Sequence, residues 1–145
     1  MGVVFRFEQL VVYQESRTFR KRMYKLAKLL PRYEFKLATQ IRDASRSMTN
    51  CISEGYGRYT FKDRLHFFRE SRASLLELVD DINICVDEAY FKVEHLETLR
   101  VDASNLHKRI NGYIQYLEEQ AKKSAPPKRR RMPMSSEVSG NTAAP

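Results

Sequence analysis

Apolar residues recur along most of this chain at alternating steps of three and four positions, the spacing that places side chains on one face of an α-helix. Four such stripes follow one another, separated by short breaks. They are Val12, Ser16, Phe19, Met23, Leu26 and Leu30; Leu37, Ile41, Ala44, Met48, Cys51 and Gly55; Phe61, Leu65, Phe68, Arg72, Leu75, Val79, Ile82, Val86 and Ala89; and Leu96, Leu99, Ala103, Leu106, Ile110, Tyr113 and Leu117. Narrow stripes and short loops predict an all-α, antiparallel up-down-up-down four-helix bundle.

Several residues predict where the helices begin and end. Leu30 precedes a proline, and the residue before proline avoids the helical conformation, so the first helix ends there. Gly55 and Gly57 follow the second stripe, and we predict that they form the C-cap of this helix in the left-handed conformation that glycine tolerates. Thr60 is the predicted N-cap of the third helix, with Asp63 in a capping-box-like position.

The periodicity stops near residue 123. The segment 124–145 is rich in proline and serine, and it carries the basic run Lys128, Arg129, Arg130 and Arg131. We predict a bundle over residues 1–123 and a disordered basic tail over residues 124–145. The basic run has two interpretations, a nuclear signal in a eukaryotic protein or a flexible cationic arm.

The chain shows neither a signal peptide nor an apolar run close to the roughly 20 residues that span a bilayer. Cys51 and Cys85 fall in apolar-periodic segments. We therefore expect reduced core thiols in a cytoplasmic protein that does not engage a membrane.

Cations are concentrated in the first half of the chain, whereas the formal net charge of the whole is only +8. The first helix carries a stripe of Arg17, Lys21, Lys25, Lys28 and Arg32, flanked by Arg20 and Arg22, and further cations follow at Arg42, Arg46 and Arg58. No acidic residue interrupts the stripe. Because like charges one helical turn apart repel by a few tenths of a kcal/mol per pair, roughly, this row is destabilising unless an anion meets it.

We predict that these cations, together with the basic run of the tail, bind the phosphates of RNA or DNA. Tyr24 and Tyr33 lie near them and could stack on bases. No base-reading motif is present, so recognition would depend on shape and charge. The alternative is a solvated charged face, or one that contacts an acidic protein surface.

A polar layer is predicted beside the apolar stripes. Gln40, Ser47 and Glu54 recur at a spacing of seven on the second helix, and Arg72 occupies a stripe position on the third. A buried arginine without a partner is costly. Either Arg72 finds an acceptor on a neighbouring helix, with Glu54 the first candidate, or it lies near the end of the bundle and reaches water. Such a layer sets helix register rather than performing chemistry.

No catalytic or metal-binding spacing stands out. The three histidines lack a metal-ligand spacing, and no Cys-x-x-Cys occurs. Adjacent acidic residues on the third helix point apart, not across a cleft. Gly55–Gly57 lacks the preceding strand of a dinucleotide-binding loop. We expect no enzymatic activity, no metal and no cofactor.

Two motifs carry a resemblance to a known family: "SMTNCISEGYGR" at Ser47–Arg58 and "SRASLLEL" at Ser71–Leu78. With them, "FEQLVVYQ" at Phe7–Gln14 and "QIRDAS" at Gln40–Ser45 are similar to the family's opening and second helix. Over about residues 7–118 the chain resembles the four-helix-bundle proteins encoded by intervening sequences in bacterial 23S ribosomal RNA genes. Cys51 stands where that family has asparagine, and the basic tail is not part of its pattern.

The resemblance implies a non-enzymatic bacterial protein that assembles into a ring, typically a pentamer. It extends to the accessory variability proteins of diversity-generating retroelements, which bind nucleic acid and a reverse transcriptase, and it does not separate the two groups. We therefore expect a homo-oligomeric, nucleic-acid-binding accessory of a ribonucleoprotein, either a retroelement reverse transcriptase or ribosomal RNA. The alternative is a structural protein–protein interaction oligomer that does not bind nucleic acid. In a bacterial protein the basic run is better interpreted as a flexible arm.

Overall fold

The structure is a computed structural model that describes residues 2–127. It contains four α-helices: α1 (Val11–Leu29), α2 (Phe35–Tyr56), α3 (Phe61–Asp87) and α4 (Val93–Ser124). Short 3-10 turns precede α1 and α2, and residues 2–127 contain no strand. The predicted all-α fold is confirmed. The basic run Lys128–Arg131 and the rest of the predicted tail lie outside the described residues.

The four helices surround one hydrophobic core. Each helix packs along its neighbour in the chain, and α1 also packs against α4, which closes the bundle. The connections Leu30–Glu34, Gly57–Thr60 and Glu88–Lys92 are short, so successive helices run antiparallel. This arrangement is the up-down-up-down bundle that the hydrophobic pattern predicts.

The buried faces of α1, α2 and α4 largely follow the predicted stripes, whereas the second half of α3 follows its stripe only in part, through the fully buried Leu75 and Ile82. Leu78 and Cys85 are fully buried there, whereas the predicted Val86 is 37% exposed. The reason lies in the contact with α2. The hydroxyl of Ser71 donates to the backbone carbonyl of Met48 on α2 at 2.7 Å. Because of this contact, the residues of α3 that face α2 lie one position before the predicted stripe residues in the sequence.

Thr60 caps α3 as predicted, because its hydroxyl accepts a hydrogen bond from the backbone N–H of Asp63 at 3.1 Å. The glycine prediction is wrong in two respects. Gly57 is the C-cap of α2, but its φ of −79° is right-handed. Gly55 lies buried inside α2, where an added Cβ would come within 2.8 Å of the Cβ of Phe67. Gly55 therefore permits close contact between α2 and α3 and does not end the helix.

The left-handed residue expected after α2 occurs after α3 instead. Ala89 has a φ of 54°. The backbone N–H of Tyr90 donates to the carbonyl of Cys85, and that of Ala89 donates to Val86, both at 3.1 Å. These two bonds form a Schellman motif around a residue that is not glycine.

Candidate nucleic-acid interface

The predicted stripe of cations lies on the side of α1 that faces away from the core. Lys21, Lys25 and Lys28 are exposed, as is Arg32 on the following 3-10 turn, and Arg17 is half-buried. Within residues 2–127, none of the five side chains forms an ion pair. Their positive charge is therefore directed to solvent without a carboxylate to neutralise it.

The two flanking arginines of α1 connect it to the neighbouring helices. Arg20 donates to the hydroxyl of Thr49 on α2 at 2.7 Å. Arg22 forms an ion pair with Asp102 on α4. Arg20 is a predicted nucleic-acid contact, yet one of its N–H groups is used in the contact between α1 and α2. The other four N–H groups remain available to other acceptors.

The predicted cations of α2 and of the connection that follows it divide into paired and unpaired side chains. Arg46 forms an ion pair with Asp43 at 2.5 Å, and Arg58 pairs with Glu54 at 2.6 Å. These are exposed pairs one helical turn apart, which hold their partners weakly. Arg42 is half-buried and has no ion pair among the described residues. The sequence analysis missed both pairings, although the spacing of three or four residues was visible in it.

The hydrogen bond between Arg20 and Thr49 sets the register between α1 and α2. The pKa of the Arg46 guanidinium is raised chiefly by its hydrogen bond to Asp43 and further by the charge of Tyr24, which agrees with this register. In an antiparallel pair the facing positions advance in opposite directions, so Arg42 lies level with about Lys28. The stripe therefore continues onto α2. The basic face comprises Arg17, Lys21, Lys25, Lys28, Arg32 and Arg42.

Aromatic side chains accompany the basic face at the α1–α2 connection. Tyr33 is 72% exposed and directly follows Arg32. One side of its ring meets Tyr90 edge-on, with 6.3 Å between the ring centroids. Tyr24 is half-buried. Tyr33 is therefore the better placed of the two predicted stacking residues.

The predicted polar layer exists only in part. Ser74 on α3 donates to the hydroxyl of Ser47 at 2.9 Å. Arg72 does find an acceptor on a neighbouring helix, but this is the side-chain oxygen of Asn111 on α4, at 3.0 Å. The predicted Glu54–Arg72 pair is wrong, because the edge of α3 that carries Arg72 faces α4. Gln40 is exposed and lines a groove between α2 and α3.

That groove is a second charged surface, which the sequence analysis did not identify. We call it the acidic groove. It has a volume of about 470 Å³, no lysine or arginine of residues 2–127 lines it, and its charged residues are Asp43 on α2 and Glu70, Glu77, Asp80 and Asp81 on α3. Asp81 is only 8% exposed and accepts no hydrogen bond within residues 2–127. Burial, with the nearby charges of Asp80 and Glu77, raises the pKa of Asp81 to about 6. A signal was available, since residues 73–91 contain five acids and no cation.

The described part of the chain offers little to redox or metal chemistry. It contains no group of three or more His, Cys, Asp or Glu side chains that could hold a metal ion. Cys51 is half-buried and Cys85 is buried, and both are free thiols. Burial raises the pKa of Cys85 to about 11, so this thiol stays protonated at neutral pH. Among the described helices, none is both long and apolar enough to cross a bilayer.

The fold and this face define the molecule as a basic four-helix-bundle protein. The family model described as 23S rRNA-intervening sequence protein matches residues 8–112, which is more than half of the sequence. The chain belongs to the 23S rRNA-intervening sequence protein family. The family resemblance carried by the two motifs is therefore confirmed.

A solved structure shows the same fold. It is a protein of unknown function from the S23 ribosomal protein family of Bacteroides thetaiotaomicron VPI-5482, with a TM-score of 0.68 and 22% sequence identity. The similarity covers 72% of this chain and 98% of that one. No curated protein matches the sequence significantly. Neither the family nor the solved structure is described as an enzyme.

Proposed function

We propose that this protein binds RNA or DNA through its basic face, as a non-enzymatic accessory subunit of a ribonucleoprotein in the bacterial cytoplasm. The observation that supports this most is the row of cations on one solvent face of α1, without an ion pair among the described residues. Each lysine or arginine that meets a phosphate releases condensed counterions, which favours binding.

The length of the row suits a nucleic-acid strand. From Arg17 to Lys28 the helix rises about 17 Å, at 1.5 Å per residue. A strand of duplex carries one phosphate per 3.4 Å of helix axis, so this row spans roughly five phosphates. The exposed ring of Tyr33 adds a surface on which an unpaired base stacks, worth about 1–3 kcal/mol in comparable contacts.

The protein acts as a homo-oligomer in this proposal, and the family resemblance suggests a pentamer. Val3, Val4 and Phe5 are exposed, as are Val11 and Tyr116 beside the groove between α1 and α4, and they offer apolar surface for self-association. Several basic faces in one assembly strengthen binding through avidity. The family name favours ribosomal RNA as the partner, and a retroelement reverse transcriptase is the other candidate.

Charge reversal on the basic face tests the proposal. We expect the triple variant Lys21→Glu, Lys25→Glu and Lys28→Glu to bind labelled RNA and DNA at least about 100-fold more weakly at low salt, because three phosphate contacts become repulsive. Fluorescence anisotropy measures the affinity, and circular dichroism checks that the bundle is intact.

The matched control carries the same charge change elsewhere, at the exposed Lys92, Lys108 and Lys122. We expect this triple Lys→Glu variant to lose much less affinity. Equal losses in the two variants would contradict the basic face as the site. If the wild-type protein forms its oligomer but binds no nucleic acid at low salt, the alternative of a structural protein–protein oligomer is correct.

A further inference from the structure

We propose that the acidic groove between α2 and α3 is a docking site for the basic run Lys128–Arg131 of the same chain. This inference does not depend on nucleic-acid binding. It concerns a surface on the opposite edge of α2 from the basic face.

The groove presents carboxylates from two helices to one space. Asp43 contributes from α2, and Glu70, Glu77 and Asp80 contribute from α3. No cation of the described residues lines this space. Among the described residues, none of these four acids forms an ion pair with a residue of another helix. Carboxylates that share a site raise one another's energy unless a cation is present.

Asp81 is a second and independent sign of a missing cation. Its residue surface is more than nine-tenths buried and no donor of the described residues bonds its carboxylate, so the carboxylate oxygens are left to the solvent that fills the groove. An ionised carboxylate in such a position is costly unless it is paired. Guanidinium and ammonium groups are the side chains that satisfy it, and arginine does so with two parallel hydrogen bonds.

The chain itself supplies a suitable occupant. The described residues end at Pro127, and residues 128–145 follow with four consecutive cations and one acid, Glu137. The groove has the opposite charge. A short run of cations that follows the last helix in the sequence therefore has a surface of complementary charge on the same molecule.

The geometry brings this segment within reach. Arg69 on α3 bonds Glu118 on α4 at 3.1 Å, which places these positions side by side. Ser124, six residues further, then lies level with about Asp63 on α3, roughly 21 Å along the axis from Glu77. The seven residues from Ser124 to Arg131 extend to about 24 Å. Measured along the bundle axis, a fully extended basic run is long enough to reach the levels of Glu70 and Glu77. Because the groove lies between α2 and α3, the segment must also cross α3, and Glu70 is the first carboxylate within its reach.

A peptide titration tests the docking. The host is the full-length chain with Lys128, Arg129, Arg130 and Arg131 each changed to glutamine, so that its own tail cannot compete. The probe is a labelled synthetic peptide of residues 125–135. We expect the peptide to bind this host at low salt, and a peptide with glutamine at the four basic positions not to bind.

Substitutions in the groove locate the site. We expect Glu77→Gln, Asp80→Asn and Asp81→Asn together, made in the tail-neutral host, to weaken peptide binding at least about tenfold. The control neutralises three exposed acids outside the groove, Asp87→Asn, Glu94→Gln and Glu119→Gln. We expect it to change binding little. Absence of binding, or equal binding to the two variants, would overturn the proposal.

Two further results decide whether the occupant is this chain's tail. The wild-type chain should bind the peptide at least about tenfold more weakly than the tail-neutral host, because its groove is already occupied. Carbodiimide cross-linking of the wild-type chain should join Lys128 to Glu70 within one molecule, as seen by mass spectrometry. If wild-type and tail-neutral chains bind the peptide equally, the groove serves a basic segment of another protein, and our assignment is wrong.

Discussion

Asp81 combines burial, the absence of a hydrogen-bond donor among the described residues, and two acidic neighbours on its own helix. Burial disfavours its charged form, and the pKa therefore rises from the ordinary value of 3.8 to about 6. Because the folded state holds this proton more tightly than the unfolded state, the stability contributed by the group is fully present below about pH 4 and is lost as the pH rises through 6.

Removing the charge of Asp81 tests whether this carboxylate destabilises the folded protein above pH 6. In the tail-neutral chain, where no basic run can compensate the carboxylate, we expect Asp81→Asn to raise the free energy of unfolding by about 1–2 kcal/mol at pH 8, less than the whole pKa shift because solvent screens the carboxylate. The gain should disappear below pH 4, where Asp81 is protonated in both states. Urea denaturation at the two pH values measures it. The exposed Asp87→Asn is the control, and a gain of equal size at both pH values would contradict the prediction.

Individual residues also show what a linear pattern cannot specify. The pairs Arg46–Asp43 and Arg58–Glu54 lie one turn apart, so the sequence contained them. The bond from Arg72 to Asn111 joins residues on different helices. Predicting it requires the edge that α3 turns toward α4, and this depends on packing rather than on spacing along one helix.

At the scale of helices, the existence of α1 to α4 and most of their buried faces were predictable, because apolar periodicity is a local property. The buried edge of α3 was not, because contacts of Ser71 and Ser74 with α2 determine it. Gly55 belongs to the same interface. Its missing side chain allows the backbone of α2 to lie against Phe67 and Phe68. In the sequence, a glycine needed for such close packing resembles a glycine that ends a helix.

The α2–α3 contact gives a prediction with a built-in control. We expect Gly55→Ala to lower the free energy of unfolding by about 1–2 kcal/mol, because the new Cβ meets the Cβ of Phe67, which cannot move without its backbone. Gly112→Ala on α4 has nothing within 4 Å of the new Cβ, so it should stabilise by about 0.5–1 kcal/mol through helix propensity. Thermal and urea unfolding measure both. A stabilised Gly55→Ala variant would refute the close approach.

At the scale of the whole molecule, the two charged surfaces lie on opposite edges of α2. The basic face was predictable as a row on one helix, whereas its continuation to Arg42 required the register between α1 and α2. The acidic groove required the juxtaposition of two helices. A polyanion therefore meets attraction on the side of the basic face, and the repulsion on the side of the acidic groove decreases when the basic run of the tail occupies the groove.

Salt dependence measures how many cations contact phosphate. With a single-stranded RNA we expect the logarithm of the association constant to fall against the logarithm of the salt concentration with a slope of about −4 per protomer, from six contacts at about −0.7 each. Lys25→Ala should reduce the magnitude of this slope by about 0.7, whereas Lys108→Ala, outside the basic face, should leave it unchanged. An unaltered slope in the Lys25→Ala variant would show that this lysine does not contact phosphate.

Because most cations of the basic face lie on α1 and most carboxylates of the acidic groove lie on α3, on opposite sides of α2, the described part of the bundle carries a permanent electric dipole across its width. The electric field near a nucleic acid orients such a protein before contact, with its basic face toward the phosphates. A larger fraction of collisions then leads to binding than if the orientation were random. This separation of charge thus favours fast encounter. Lowering the salt concentration should raise the association rate constant by a larger factor than it lowers the dissociation rate constant.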